Sequence, residues 1–256
     1  MRRKCSFCPR PADSGEHLWS DWICKLPPFK GIRVKVRRQI LPDRRIREWN
    51  KKGLGHKEYT VCQKCNNTWM SDVENNHAKP CISNMIVSDS PVSLDFTCLV
   101  SISIFVFLKA IVGDHIQRDE KPFFSFAVRT KFRQSLSLPP NMQVWLGCLG
   151  ALDPHNAIFR MKYGYTHPNV KSGMEIYTFT WGVGRLVIQL ASLKYKNPRL
   201  RNNRIVPIVP PHQFWDQFAI PIWPPIWPSS GTAVVWPPKH HLSNSLLDKF
   251  SDRFAR

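Results

Sequence analysis

An α+β fold is what this sequence predicts, and three observations carry the expectation. Two Cys-x-x-Cys pairs, Cys5/Cys8 and Cys62/Cys65, enclose short extended segments and lead directly into a helical pattern. An apolar run, "CLVSISIFVFLKAIV" from Cys98 to Val112, has the length of a buried helix and is short for a membrane span. Beyond it, several segments alternate apolar and polar residues with the two-residue period of strands. The chain is therefore expected to divide in two. Residues 1–85 form a small cysteine-pinned ββα unit, and residues 94–256 a mainly antiparallel domain with flanking helices.

The four cysteines organise the first unit. Each pair offers two thiolates from one tight turn, and two such pairs supply the four soft ligands of a tetrahedral zinc ion. Structural zinc on Cys5, Cys8, Cys62 and Cys65 is the expectation. Cys24, Cys81, Cys98 and Cys148 lack partners at ligand spacing and read as small buried hydrophobes. "KEYTV", Lys57 to Val61, reads as a short strand, and the segment around Glu16-His17 as another. After Cys65, Trp69 and Val73 stand at i, i+4, with Asn66 or Asn67 placed to cap a helix of two or three turns. Trp19, Trp22 and Trp69 are expected to pack around the zinc core, and Glu74 and His77 to be solvated helix positions.

Pro80 and "SDSPVS", Ser88 to Ser93, read as a linker. In the second unit, "FFSFAVRTKF" (Phe123 to Phe132), "MQVWLGCLG" (Met142 to Gly150) and "AIFRMKYGYT" (Ala157 to Thr166) read as strands. "MEIYTFTWGVGRLVIQLA" reads as two more, broken at Gly182-Val183-Gly184. "IPIWPPIWP" (Ile220 to Pro228) cannot be a central strand, because proline lacks the ladder donor, and so belongs at an edge. Leu246, Leu247, Phe250 and Phe254 share one face of a terminal helix.

Composition narrows the partners. With 43% hydrophobic and 12% aromatic residues in 256, the chain can bury a core. The formal net charge of +19 opposes compaction and fits a polyanion. Nucleic acid is the first candidate, since neutralising phosphates releases counterions. The segment Lys25 to Lys52 concentrates this charge, and Lys35, Arg37, Arg38, Arg44 and Arg45 are the residues expected to meet a phosphate backbone. Cys5 and Cys8 fall where the apolar region of a signal peptide would begin, so a reducing cytoplasm without membrane attachment is expected. The C-terminal domain could support homo-oligomers or a partner protein.

The order knuckle, Glu-His strand, loop, strand, knuckle, helix resembles the HNH endonuclease superfamily, the ββα-metal nucleases, in its four-cysteine, treble-clef-like form. The residues that carry the resemblance are Cys5/Cys8, Glu16-His17 and Cys62/Cys65/Asn66. "EHLWSDW" and "CNNTWMSDVE" are similar to an uncharacterised bacterial subgroup with a Glu-His and a Cys-Asn-Asn-x-Trp-Met motif. The likeness covers about the first third of the chain. It implies His17 as the general base, and Glu16 with Asn66 as ligands of a catalytic Mg²⁺ or Mn²⁺. It also implies hydrolysis of DNA phosphodiesters, with RNA as an alternative substrate. The family commonly has an asparagine early in the second strand to orient the histidine. That place holds Lys57 here, with His56 beside it and Asn50 further back.

The chemistry suits those residue types. An imidazole is a base near neutral pH, and a Mg²⁺-class ion takes hard oxygen ligands such as a carboxylate and an amide. A zinc-stabilised protein that binds nucleic acid without cutting it is the rival expectation.

Overall fold

The structure is a computed structural model. It describes residues 3–40, 45–115, 121–153, 158–165, 174–195, 208, 212–225 and 233–254, and the side chains of these except 35–40, 45–49 and 158–165. Arg44 lies outside the described residues, and Lys35, Arg37, Arg38 and Arg45 are described in their backbone alone.

The chain opens with β1 (Ser14–His17), a short helix α1 (Asp21–Cys24), then β2 (Arg33–Ile40), β3 (Arg45–Lys52) and β4 (Lys57–Val61). β1 pairs antiparallel with β4, Glu16 opposite Glu58 and His17 opposite Lys57, with an irregularity between Ser14 and Glu16. The basic segment expected as a loop is a hairpin of its own: β2 pairs with β3 from Arg33↔Lys52 to Ile40↔Arg45. It is an insertion between the two strands of the ββα unit.

The helix of that unit begins earlier than Asn66. α2 (Gln63–Cys65) is capped by Cys62, whose Sγ accepts from the Cys65 backbone N–H at 3.4 Å. Neither Asn66 nor Asn67 is the N-cap. The helical path continues through π-helical turns at Asn66–Met70 and Val73–Ala78, with a kink at Thr68, into α3 (Lys79–Val87).

After β5 (Val92–Leu94), α4 (Phe96–Asp114) is capped by Asp95, whose Oδ1 accepts from the Cys98 N–H at 2.8 Å. By length and composition α4 could cross a membrane, yet 72% of its most apolar window is buried inside the fold. It packs against the π-helical turn at Val73–Ala78, α3, β4, β5 and two strands of the main sheet. The expected buried helix is thus the shared wall of two layers.

The expectation for Phe123 to Phe132 needs correcting: the segment is not a strand but leads into α5 (Phe126–Ser135). The Ser125 side chain caps it from Val128 N–H, and Val128 and Phe132 at i, i+4 turn onto the core. A run with Phe at both ends imitates alternation, while the cap and the four-residue spacing decide for helix.

The main sheet holds β6 (Met142–Cys148), β7 (Ile158–Tyr165), β8 (Met174–Val183), β9 (Leu186–Tyr195) and β10 (Ala219–Trp223), all antiparallel, in the order β10-β6-β9-β8-β7. Pro221 lies in β10, an edge strand, as a missing donor requires. A separate pair joins β5 to β11 (Val234–Trp236), and α6 (Asn244–Ser251) closes the chain. One face of the sheet meets α4 through Tyr177, Phe179 and Trp181, and the other meets Phe250 and Phe254 near the C-terminus. Because both faces are covered, β8 and β9 are buried almost throughout.

One hydrophobic core contains residues from both halves of the chain, including Phe7, Trp19, Ile23, Phe105 and Trp181. The β8–β9 turn illustrates how closely the halves meet. A Cβ at Gly184 would fall 2.1 Å from the Ile86 carbonyl oxygen, and its φ of +59° favours glycine as well. The same Ile86 carbonyl accepts from the Arg185 N–H at 2.9 Å.

Candidate functional site

The two cysteine pairs meet. The Sγ atoms of Cys5, Cys8, Cys62 and Cys65 all lie within 4.8 Å of one another, and all four residues are buried. Cys8 and Cys62 Sγ are 3.6 Å apart, and Cys65 and Cys8 Sγ 3.9 Å. Sulfurs at the corners of a zinc tetrahedron with Zn–S of about 2.3 Å stand about 3.8 Å apart. The cluster therefore has the size, the donor type and the closed four-ligand set of a structural zinc site.

Local backbone makes this possible. Cys5 N–H donates to the Arg10 carbonyl at 2.8 Å, folding the first knuckle into a tight turn. Ser6 ties that turn to β4, its N–H and Oγ both donating to the Thr60 carbonyl at 2.8 Å. Asp13 Oδ1 accepts from the Gln63 N–H at 2.8 Å, fixing the second knuckle to the approach of β1. Without metal the thiols share protons unevenly. Hydrogen bonding from Cys65 brings Cys5 down to about 5, whereas Cys65 is driven upward by the same bond and by burial.

Next to the cluster lies β1, and its two expected functional residues face different ways. Glu16 is 3% exposed, while His17 is half-buried. The Lys109 ammonium, from the C-terminal third of α4, donates to Glu16 Oε1 at 2.6 Å and to the His17 backbone carbonyl at 2.7 Å. It also pairs with Glu74 Oε1. Glu74 is thus no solvated helix position, as the sequence suggests, but the second acid of a buried triad. His77 does lie at the surface, 3.4 Å from Asp72 Oδ2.

Burial raises the Glu16 carboxyl, and the Lys109 ammonium beside it opposes that rise. Burial acts upward on Glu74 as well, but there the ammonium and hydrogen bonds outweigh it and the carboxyl falls below its ordinary range. Lys109 is itself raised, since its two acids overcome desolvation.

Asn66 has other partners. Its Nδ2 donates to Ser14 Oγ at 2.8 Å and to the Gly15 carbonyl at 3.3 Å. These bonds lock the helix start onto β1. Glu16 and Asn66 are thus engaged by different groups: the carboxylate by an ammonium inside the fold, the amide by the strand it packs on. A divalent ion needs free hard oxygens, and the Glu16 carboxylate, committed to a lysine, does not fit one as it stands.

His17 sits opposite Lys57 across the β1–β4 pair. Desolvation, then the Lys57 and Lys109 charges, lower the imidazole below its ordinary value and so favour its neutral form. His56 Nε2 lies 2.8 Å from Glu58 Oε1, and the His56 carbonyl accepts from the Leu18 N–H at 3.0 Å. Asn50 is exposed, its backbone opposite Lys35 on the hairpin.

Of the three tryptophans expected around the cysteine cluster, Trp69 packs beside the first knuckle through Phe7, while Trp19 turns its indole N–H to Gly182 of the main sheet. Trp19 is buried, and Trp69 meets Phe7 and Phe132 edge-on at 4.9 and 5.8 Å. Among the remaining cysteines the expectation of inert thiols is corrected for two: Cys81 and Cys98 form a disulfide joining α3 to α4. Spacing could not show it, because the pair forms only through the packing of two helices. The role of Lys109 is hidden from the sequence for a similar reason, as its acids lie 93 and 35 residues away. The signal available in sequence is a single charged residue inside the most apolar run. No protein-family model, curated protein or solved structure matches the chain.

Proposed function

We propose that the chain is a nucleic-acid phosphodiester hydrolase of HNH type, with a structural zinc site holding the strand that carries its base. The observation behind this reading is the setting of His17: a half-buried imidazole, its pKa lowered chiefly by desolvation, opposite Lys57 on the strand pair whose far end runs into the second cysteine knuckle. A neutral imidazole can take a proton from water. The water oxygen then attacks phosphorus, the P–O bond to the leaving sugar breaks, and the leaving oxygen is protonated from solvent. Lys57 would meet the phosphate charge. The inserted basic hairpin, bearing Lys35, Arg37, Arg38 and Arg45, with Arg44 between its strands in sequence, would grip the backbone.

Nicking of supercoiled plasmid by the zinc-loaded chain, compared with His17→Ala, tests the reading. Loss of at least about a hundredfold in rate is expected for the variant. Equal nicking by both proteins removes His17 from the chemistry.

A second reading is a zinc-stabilised protein that binds DNA or RNA and cuts neither. The engagement of Glu16 by Lys109 favours it, because the acid that would carry a catalytic Mg²⁺ or Mn²⁺ already holds a cation. Tight, salt-sensitive binding without cutting by either protein would select it.

A further inference from the structure

Lys109 is the least expected residue of the fold. It is fully buried in the C-terminal third of an apolar helix, where an unpaired ammonium would be prohibitively costly. Two acids compensate it, Glu16 from β1 and Glu74 from the helical path after the second knuckle. Packing alone does not call for such a triad, since apolar residues of similar volume commonly stabilise a core as well or better. Its position is informative. Glu16 immediately precedes His17, and among the described residues the hydrogen bonds of the ammonium go to these two acids and the His17 carbonyl.

We propose that Lys109 is the resident cation of the Glu16 site: its ammonium fills the seat between Glu16 and Glu74 in place of a divalent metal ion, and fixes the His17 backbone by the same contact. A Mg²⁺ or Mn²⁺ ion could enter only by expelling a charged group that the chain itself supplies. The chain therefore binds no divalent ion through Glu16. Any chemistry at His17 proceeds without one there. The zinc site is independent of this, being built from sulfur ligands that hard cations do not favour.

The test is Mn²⁺ titration of the zinc-loaded full chain, with free Mn²⁺ read by electron paramagnetic resonance. Wild type and Glu16→Gln are expected to bind Mn²⁺ alike, with no Glu16-dependent site of Kd below about 1 mM. Lys109→Met leaves two facing carboxylates uncompensated. If folded, it is expected to gain one Mn²⁺ site, at least tenfold tighter than any in wild type, that Glu16→Gln in the same background removes. A stoichiometric site in wild type that weakens tenfold or more in Glu16→Gln overturns the proposal, whether or not Lys109→Met folds. So does a folded Lys109→Met that gains nothing. Because the readout is metal binding, a chain that cuts no nucleic acid yet behaves as expected here would sink the hydrolase reading and leave this one standing.

Discussion

Trp19 and Trp181 clasp one another's segments of the chain. Trp19 Nε1 donates to the Gly182 carbonyl at 3.1 Å, and Trp181 Nε1 donates to the Leu18 carbonyl at 2.9 Å. Both indoles are buried, and each N–H is satisfied by a carbonyl next to the other tryptophan. The clasp ties the residues just after His17 to the centre of the main sheet. With Lys109 it makes the position of β1 a property of the whole fold rather than of the zinc unit alone.

Trp19→Phe keeps most of the apolar contact but removes the bond to the Gly182 carbonyl. A loss of about 1–3 kcal/mol in urea unfolding is expected, with Trp181→Phe similar. A double-mutant cycle should show coupling, because both bonds bridge the same pair of segments. Additive losses would mean that the two bonds act separately.

The Cys81–Cys98 disulfide closes a 17-residue separation between α3 and α4. Loops of that length correspond to about 3 kcal/mol of stabilisation. Cys81→Ser/Cys98→Ser should lower stability by that order while leaving zinc content unchanged. Thiol counting under denaturing conditions should find two fewer free thiols in unreduced wild type than in the reduced protein. An unchanged count would mean that the pair is not bonded in solution.

His115 gives the clearest pH signature. Burial, then the neighbouring Arg129 and Arg3 charges, bring it down to about 3. The folded state therefore binds fewer protons than the unfolded state between that value and the ordinary histidine range. Stability from this group is present above about pH 6.5 and is lost progressively as pH falls. Asp114, raised by burial to about 6, acts in the opposite sense: its contribution is present at low pH and declines as pH rises from about 4 through 6. His115→Gln should therefore flatten the acid limb of the stability profile by a few kcal/mol relative to wild type. Parallel profiles for the two proteins would show that His115 is not held neutral.

How much of this is open to sequence reading depends on how local the determinants are. The cysteine pairs, the β4 strand, the edge position of Pro221, the β8–β9 break and the final helix rest on short-range rules of ligand spacing, missing donors and periodicity. These are legible. The α5 helix reads as a strand because two aromatic residues at its start mimic alternation, although its cap at Ser125 is there to be seen. The basic hairpin reads first as charge, although Val34, Val36 and Ile40 keep a two-residue strand period that only Arg38 interrupts. Least legible is the Glu16 environment. Adjacent residues on a strand point to opposite sides, so one of Glu16 and His17 has to turn inward. Only the tertiary approach of α4 decides what it meets there.

The hairpin should govern affinity. Replacing Lys35, Arg37 and Arg38 together by glutamine should weaken binding to any DNA sequence about equally. It should also reduce the slope of log K against log salt by about 0.9 for each phosphate that is no longer neutralised. An unchanged slope would place the phosphate-binding charges elsewhere on this +19 chain.

Central to the N-terminal unit are four sulfurs placed to hold one ion. Zinc-edge X-ray absorption of the purified protein, read together with elemental analysis, measures this directly. One zinc per chain, with four sulfur neighbours at about 2.3 Å, is the expected result. A metal-free protein that keeps its fold, or zinc bound by nitrogen and oxygen instead of four sulfurs, would contradict it.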